Sequence, residues 1–191
     1  MLGRIVEALA RLMAVLGGLV LTGLILMTCL SILGRSASGV LNADWMPEGL
    51  GAALLGLGIG PIRGDFELVE AGMAFVIFAF LPITQLKGGH ASVDIFTNML
   101  GLRANRVLTL LWALLFAAAM VLIAWQLWQG TQDKMRNGET SFLIQFPIWW
   151  AYAASLVGAV AAAATSVYIA LVRLAELATG DAILTGEGAE H

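Results

Sequence analysis

Charge is what this sequence has least of. Only 12% of its 191 residues are Asp, Glu, Lys or Arg, 60% are hydrophobic, and the mean hydropathy is +0.89. A soluble domain carries roughly a quarter charged residues, so this chain is expected in a bilayer. Cysteine is scarcer still: Cys29 stands alone in an apolar run. That excludes an intramolecular disulfide, a thiolate metal cluster and a CxxC redox pair, and leaves Cys29 as a small packing residue. The two histidines are His90 and the terminal His191, neither inside a long apolar run. A haem held by two histidines and a His-Glu-x-x-His metalloprotease helix are therefore excluded, and no basic partner stands at membrane depth for a serine nucleophile. The sequence implies no cofactor and no metal. A net charge of -3 with scattered acids points to neither nucleic acid nor a polybasic lipid-binding patch.

What the chain does have is long uncharged runs. A helix needs about 20 apolar residues to cross a hydrocarbon core roughly 30 Å thick, and four stretches qualify: Leu12–Leu33, Phe66–Leu86, Val107–Trp128 and Pro147–Val172. The first is too long for a signal peptide and lacks a small-x-small cleavage site before charge returns at Arg35. Between the first two lies a connector, Ser36–Gly64, with an embedded apolar run over 49–59 that is too short to span and rich in glycine, which reads as a segment lying on the bilayer or on a partner. Pro82 is expected to kink the second span near its exit, and Asp65 to cap its start. After Gly88-Gly89, Val93, Ile95, Phe96, Met99 and Leu100 alternate with polar residues at helical spacing, the pattern of a short amphipathic helix in the interface plane. Gly130–Thr140 reads as a polar loop with an Asn137-Gly138 turn signal. Trp149, Trp150 and Tyr152 form an aromatic belt at the start of the fourth span.

The fold class that follows is an all-α membrane protein: four transmembrane helices plus interfacial amphipathic segments, one membrane domain over 1–173 and a flexible tail over 174–191. Basic residues in short loops are held on the cytoplasmic side. Arg4, Arg11, Lys87, Arg103, Arg106 and Arg173 fall on one side, and Arg35, Arg63, Lys134 and Arg136 on the other. Both termini and the Lys87–Arg106 loop are thus predicted cytoplasmic, and the Ser36–Gly64 connector periplasmic.

Channels and autonomous transporters show ionisable residues or broken helices at mid-membrane, because these replace the hydration of a polar cargo. All four span centres here are uncharged. The acids nearest membrane depth, Glu67 and Glu70, lie about one helical turn apart on one face. Three readings stand for them: interfacial solvation with helix capping, an ion pair with another subunit, or a ligand for cargo or ion. Glu70, if not shallow, needs a partner such as Arg35 or Arg63. His90 and Asp94, four residues apart, either hold the turn after Gly88-Gly89 or touch a partner. In the fourth span Ala154, Gly158, Ala162 and Ser166 recur at four-residue steps, a small-residue face for close helix approach, either within the chain or to another one.

Taken together, the acidic start of the second span (Phe66-Glu67-Leu68-Val69-Glu70), the exit Gly89-His90-Ala91-Ser92-Val93-Asp94 and the aromatic start of the fourth span (Phe146-Pro147-Ile148-Trp149-Trp150-Ala151-Tyr152) resemble the small membrane subunit, the DctQ type, of tripartite ATP-independent periplasmic (TRAP) transporters. The resemblance covers roughly Ile5 to Arg173. It implies a non-enzymatic, multi-pass protein of the bacterial inner membrane. Such a subunit scaffolds a large sodium-coupled permease subunit that takes up an organic acid or similar solute and works with a periplasmic substrate-binding protein. Glu67, Glu70, Gly89, His90 and Asp94, with Pro147, Trp149 and Gly158, are then the candidate subunit-interface residues. The 36–64 connector is longer and more apolar than the family usually shows, leaving the binding protein, the large subunit and the lipid bilayer all open as its neighbours. The alternative is a small autonomous channel or transporter acting as a homo-oligomer, with Glu67 and Glu70 lining a shared path.

Overall fold

The computed structural model describes residues 2–42, 60–87 and 102–179, together with 49, 56 and 58. Among them are four long helices: α1 (Leu2–Leu41), α2 (Asp65–Leu86), α3 (Leu102–Asn137) and α4 (Trp149–Thr179). All four are long and apolar enough to cross a membrane. The 22 residues of α2, at about 1.5 Å each, give roughly 33 Å and match the hydrocarbon core. By the same rise, the 40 residues of α1 reach about 60 Å and the 36 of α3 about 54 Å, so both project well past it.

The extra length comes from polar residues that helices tolerate. At the start of α1, Arg11 donates to Glu7 at 2.6 Å one turn away, an arrangement that supports an exposed helix, and no proline falls anywhere from Leu2 to Leu41. The helix closes where the Asn42 side chain (2.7 Å) and backbone N–H (3.1 Å) both donate to the Ser38 carbonyl, satisfying a terminal acceptor. Ser36–Leu41, expected in the connector, is thus helical. Likewise α3 runs through Gly130 to Asn137, where a loop was expected, and ends at Gly138 with φ 62°. Thr131, Gln132, Asp133, Lys134 and Arg136 leave the hydrocarbon without leaving the helix; the turn comes only where glycine can take the left-handed conformation.

The helices pack in the order α1, α2, α4, α3, with a smaller contact of α1 on α4. Small residues set the spacing. Ala79 of α2 is fully buried at a three-helix crossing. A methyl added to Gly17 of α1 would stand 3.0 Å from its Cβ. One added to Gly158 of α4 would stand 3.2 Å from its nitrogen and 2.9 Å from Phe78 Cβ. Most of the small-residue face of α4 is therefore spent inside the chain: Ser155, Gly158, Ala159, Ala162 and Ser166 are buried, while Ala154 at its start is exposed. Ser166 donates to the Gln85 side-chain oxygen of α2 at 2.6 Å, and Ala162 and Ala163 pack with Met120 of α3. Pro82 is buried within α2, and the helix continues past it to close with the Lys87 N–H on the Ile83 carbonyl at 3.1 Å.

Burial is uneven. In the most apolar 18-residue stretch of α4, 44% of residues are buried, against 11% in α1 and 17% in both α2 and α3. Leu19, Leu26 and Leu33 of α1, and Trp112, Leu115 and Trp125 of α3, are exposed. By packing order α2 and α4 lie between α1 and α3, and the other faces of α1 and α3 are apolar and uncovered.

Candidate functional site

Apart from Ser166 and Gln85, the polar side chains with long-range partners gather at the end of the bundle where α2 and α4 begin. There Asp65 ties α2 to α1. Its Oδ2 accepts from Ser31 Oγ at 2.6 Å and from Arg35 Nη2 at 3.3 Å, and its Oδ1 from the Phe66 N–H at 3.0 Å. Ser31 in turn accepts from the Ile62 N–H at 3.2 Å, and the Arg35 guanidinium lies 5.9 Å from the centre of the Phe66 ring. A methyl on Gly34 would overlap the Gly60 carbonyl oxygen, so the last residues of the connector press directly on α1. The expected role of Asp65 changes accordingly. The residue capping α2 is Gly64, with φ 74° and no side-chain cap, while the Asp65 carboxylate reaches across to another helix. Arg35, a candidate partner for Glu70, is engaged with Asp65.

Glu67 performs a different task. Between α3 and α4 the chain forms a short hairpin, with an isolated antiparallel bridge between Thr140 and Pro147. Ser141 N–H donates to the Phe146 carbonyl at 2.9 Å, Ile148 N–H to the Glu139 carbonyl at 3.0 Å, and Gln145 takes φ 56° at the bend. The Glu67 carboxylate holds the tip, accepting from Ser141 Oγ (2.8 Å), Leu143 N–H (2.5 Å) and Ile144 N–H (3.0 Å). A carboxylate collecting two backbone donors and a hydroxyl fixes a loop that would otherwise leave those donors unmet. At its base Lys134 pairs with Glu139, and Asn137 Nδ2 donates to Glu139 at 3.3 Å. The Lys134 hydrogen bond first, and the Asn137 bond second, hold the Glu139 carboxyl below its usual range. The tip itself is apolar and exposed, with Phe142 at 90%.

Behind the hairpin, α2, the end of α3 and α4 border a half-open cavity of about 540 Å³ lined by Glu67, Glu70, Phe78, Phe146, Tyr152 and Ser155 among others. Glu70 is exposed and makes no hydrogen bond or ion pair among the described residues. The Ser155 hydroxyl is buried without a partner. No three His, Cys, Asp or Glu side chains converge among the described residues to hold a metal ion.

Of the candidate interface residues, Glu67, Glu70, Pro147 and Trp149 come together at this end, Pro147 in the hairpin bridge and Trp149 as the first residue of α4. Gly158 does not join them: it lies in the contact between α2 and α4, against Phe78. Gly89, His90 and Asp94, like the amphipathic segment 93–100 and most of the 49–59 run, lie outside the described residues. Sequence reading missed the Ser31–Arg35–Asp65 cluster and the hairpin. The hairpin was signalled by Asn137-Gly138 and Pro147 bracketing Phe142-Leu143-Ile144, an apolar patch too short to span. The cluster left no local signal, because Asp65 lies 34 residues from Ser31 and 30 from Arg35.

The family model of the DctQ component of tripartite ATP-independent periplasmic transporters matches residues 24–178. The chain belongs to the DctQ family. The matched region runs from the middle of α1 to the end of α4 and so takes in the whole site. The protein is a small, multi-pass membrane subunit of a TRAP transporter, and the family is one of transport components rather than of enzymes. Neither the curated proteins nor the solved structures give a significant match.

Proposed function

We propose that this DctQ-type subunit scaffolds the large permease subunit of its transporter in the bacterial inner membrane. In this reading it provides no cargo path of its own. The large subunit carries an organic acid or similar solute with sodium, and a periplasmic binding protein delivers it. The carrying observation is a contrast between helix faces: one face of α4 packs within the chain, while α1 and α3 leave long apolar faces uncovered around span centres with no charged residue. Helices with uncharged centres offer nothing to replace the hydration of a polar solute. Their uncovered faces suit lipid on one side and another membrane protein on the other. Basic-residue placement supports cytoplasmic termini, which puts the Asp65 cluster, the hairpin and the cavity on the periplasmic side.

Co-expression with a neighbouring large permease gene tests this. A stable complex that co-purifies in mild detergent is the expected result. A chain that remains alone, and by itself passes solute in liposomes in a manner abolished by Glu70→Gln, would instead favour a homo-oligomeric channel or transporter.

A further inference from the structure

The cavity behind the hairpin contains a carboxylate that the described residues leave unanswered. Two glutamates line it, and they differ in one respect. Glu67 is saturated by three donors from the hairpin. Glu70, three residues further along α2, has no partner among the described residues, and at this end of the bundle Lys134 is paired with Glu139 and Arg35 with Asp65. As the sixth residue of α2, Glu70 sits about 7.5 Å in from the helix end. In a helix that just matches a hydrocarbon core of roughly 30 Å, that is about a quarter of the way into the apolar zone, where a lone carboxylate is disfavoured and a cation beside it is favoured. A second polar group independently points to an occupant: Ser155, 2% exposed, lines the same cavity with its hydroxyl unpartnered. The remaining wall combines apolar side chains, Ala74, Phe78, Phe146 and Ile148 among them, with Thr140, Ser141 and Tyr152.

A long aliphatic stem ending in a cation fits this combination, since lysine and arginine lay their methylenes on apolar surface and keep the charged head at a polar edge. Resting on the reading of this chain as the companion of a large permease, we infer that the cavity receives a lysine or arginine side chain from a transmembrane helix of that subunit. The cation pairs with Glu70 and the stem lies against Phe78 and Phe146. Charge complementarity selects this occupant over a purely apolar helix, which would leave Glu70 covered and unpaired, a costly arrangement. The cavity volume of about 540 Å³ is within the range of sites that enclose whole ligands.

The test uses the full chain co-expressed with the large subunit. Glu70→Gln should reduce recovered complex about tenfold or more, as close charge pairs at interfaces do. Because Glu70 is exposed and bonds to no described residue, the variant purified alone should keep the helical circular dichroism of the wild type. Ala74→Trp, which fills the cavity and keeps the charge, should also weaken the complex. Glu70→Lys should abolish it, and replacement of one basic residue by Glu on a partner helix should restore it. Wild-type recovery with Glu70→Gln overturns the inference whatever Ala74→Trp does. So does a Glu70→Gln defect repaired by added amine-headgroup lipid, or one that no charge exchange in the partner repairs. If the wild-type chain itself does not co-purify with the large subunit, the scaffold reading and this inference fall together; a wild-type complex indifferent to Glu70 removes only the latter.

Discussion

The close approach of α4 to α2 can be tested with two glycines of the same chain. Gly158 and Gly18 are both interior helix residues, so replacing either by alanine brings the same gain in helix propensity, about 0.8–1.0 kcal/mol. Their surroundings differ. A methyl at Gly18 meets nothing within 4 Å, whereas one at Gly158 meets Phe78 Cβ at 2.9 Å, the Phe78 carbonyl carbon at 3.1 Å and the Ala79 nitrogen at 3.2 Å. Two of these are backbone atoms and the third is fixed to the backbone, so no side-chain rotation relieves the contact and α2 must move as a body. Overpacking of this kind costs about 1–3 kcal/mol. Gly18→Ala should therefore stabilise the isolated chain by up to about 1 kcal/mol, and Gly158→Ala should range from neutral to about 2 kcal/mol destabilising, the overpacking cost less that gain. Sodium dodecyl sulfate titration of the chain in mild detergent, followed by helical circular dichroism, measures both. Midpoints that shift together within about 0.5 kcal/mol would refute the packing of α4 on α2 described above.

Two further outcomes follow from the hairpin. Glu67→Ala removes the acceptor for Leu143 and Ile144, so their amides should exchange with deuterium several-fold faster than in the wild type, while amides in the middle of α2 are unaffected; unchanged tip amides would mean that the hairpin holds itself. The folded Glu139 carboxyl titrates below its ordinary value of 4.5, so its pairing with Lys134 contributes fully above that pH and is lost as the pH falls through the lowered folded value. Protection of the Ser141 amide should fall over that acid range. Glu139→Gln should remove part of the pH dependence, and a profile identical to the wild type would take Glu139 out of the hairpin's support.

The four helices were legible because the bilayer imposes one strong rule: uncharged runs of about 20 residues cross it. Their ends were not, because polarity marks departure from hydrocarbon and not the end of a helix. Arg4–Arg11, with charges at Arg4, Glu7 and Arg11, and the polar Gly130–Asn137 are both helical, and only the conformational demand at Gly138 stops α3. The small residues of α4 were legible as a packing face, but what they face depends on where Phe78 and Ala79 lie. Spacing put Glu67 and Glu70 on one side of α2. It could not assign one to a hairpin 74 to 77 residues away and leave the other in a cavity. Asp65 was misread for the same reason: helix-start chemistry is local, whereas its partners Ser31 and Arg35 belong to another helix.

The central claim, that this DctQ subunit supports transport without carrying solute, is tested most directly by reconstitution into liposomes of the chain alone, the large subunit alone, and the two together, with the binding protein and a sodium gradient present in each. Uptake should require the large subunit, be fullest with both, and be absent with this chain alone. Solute flux through the chain alone, lost in Glu70→Gln, would contradict it.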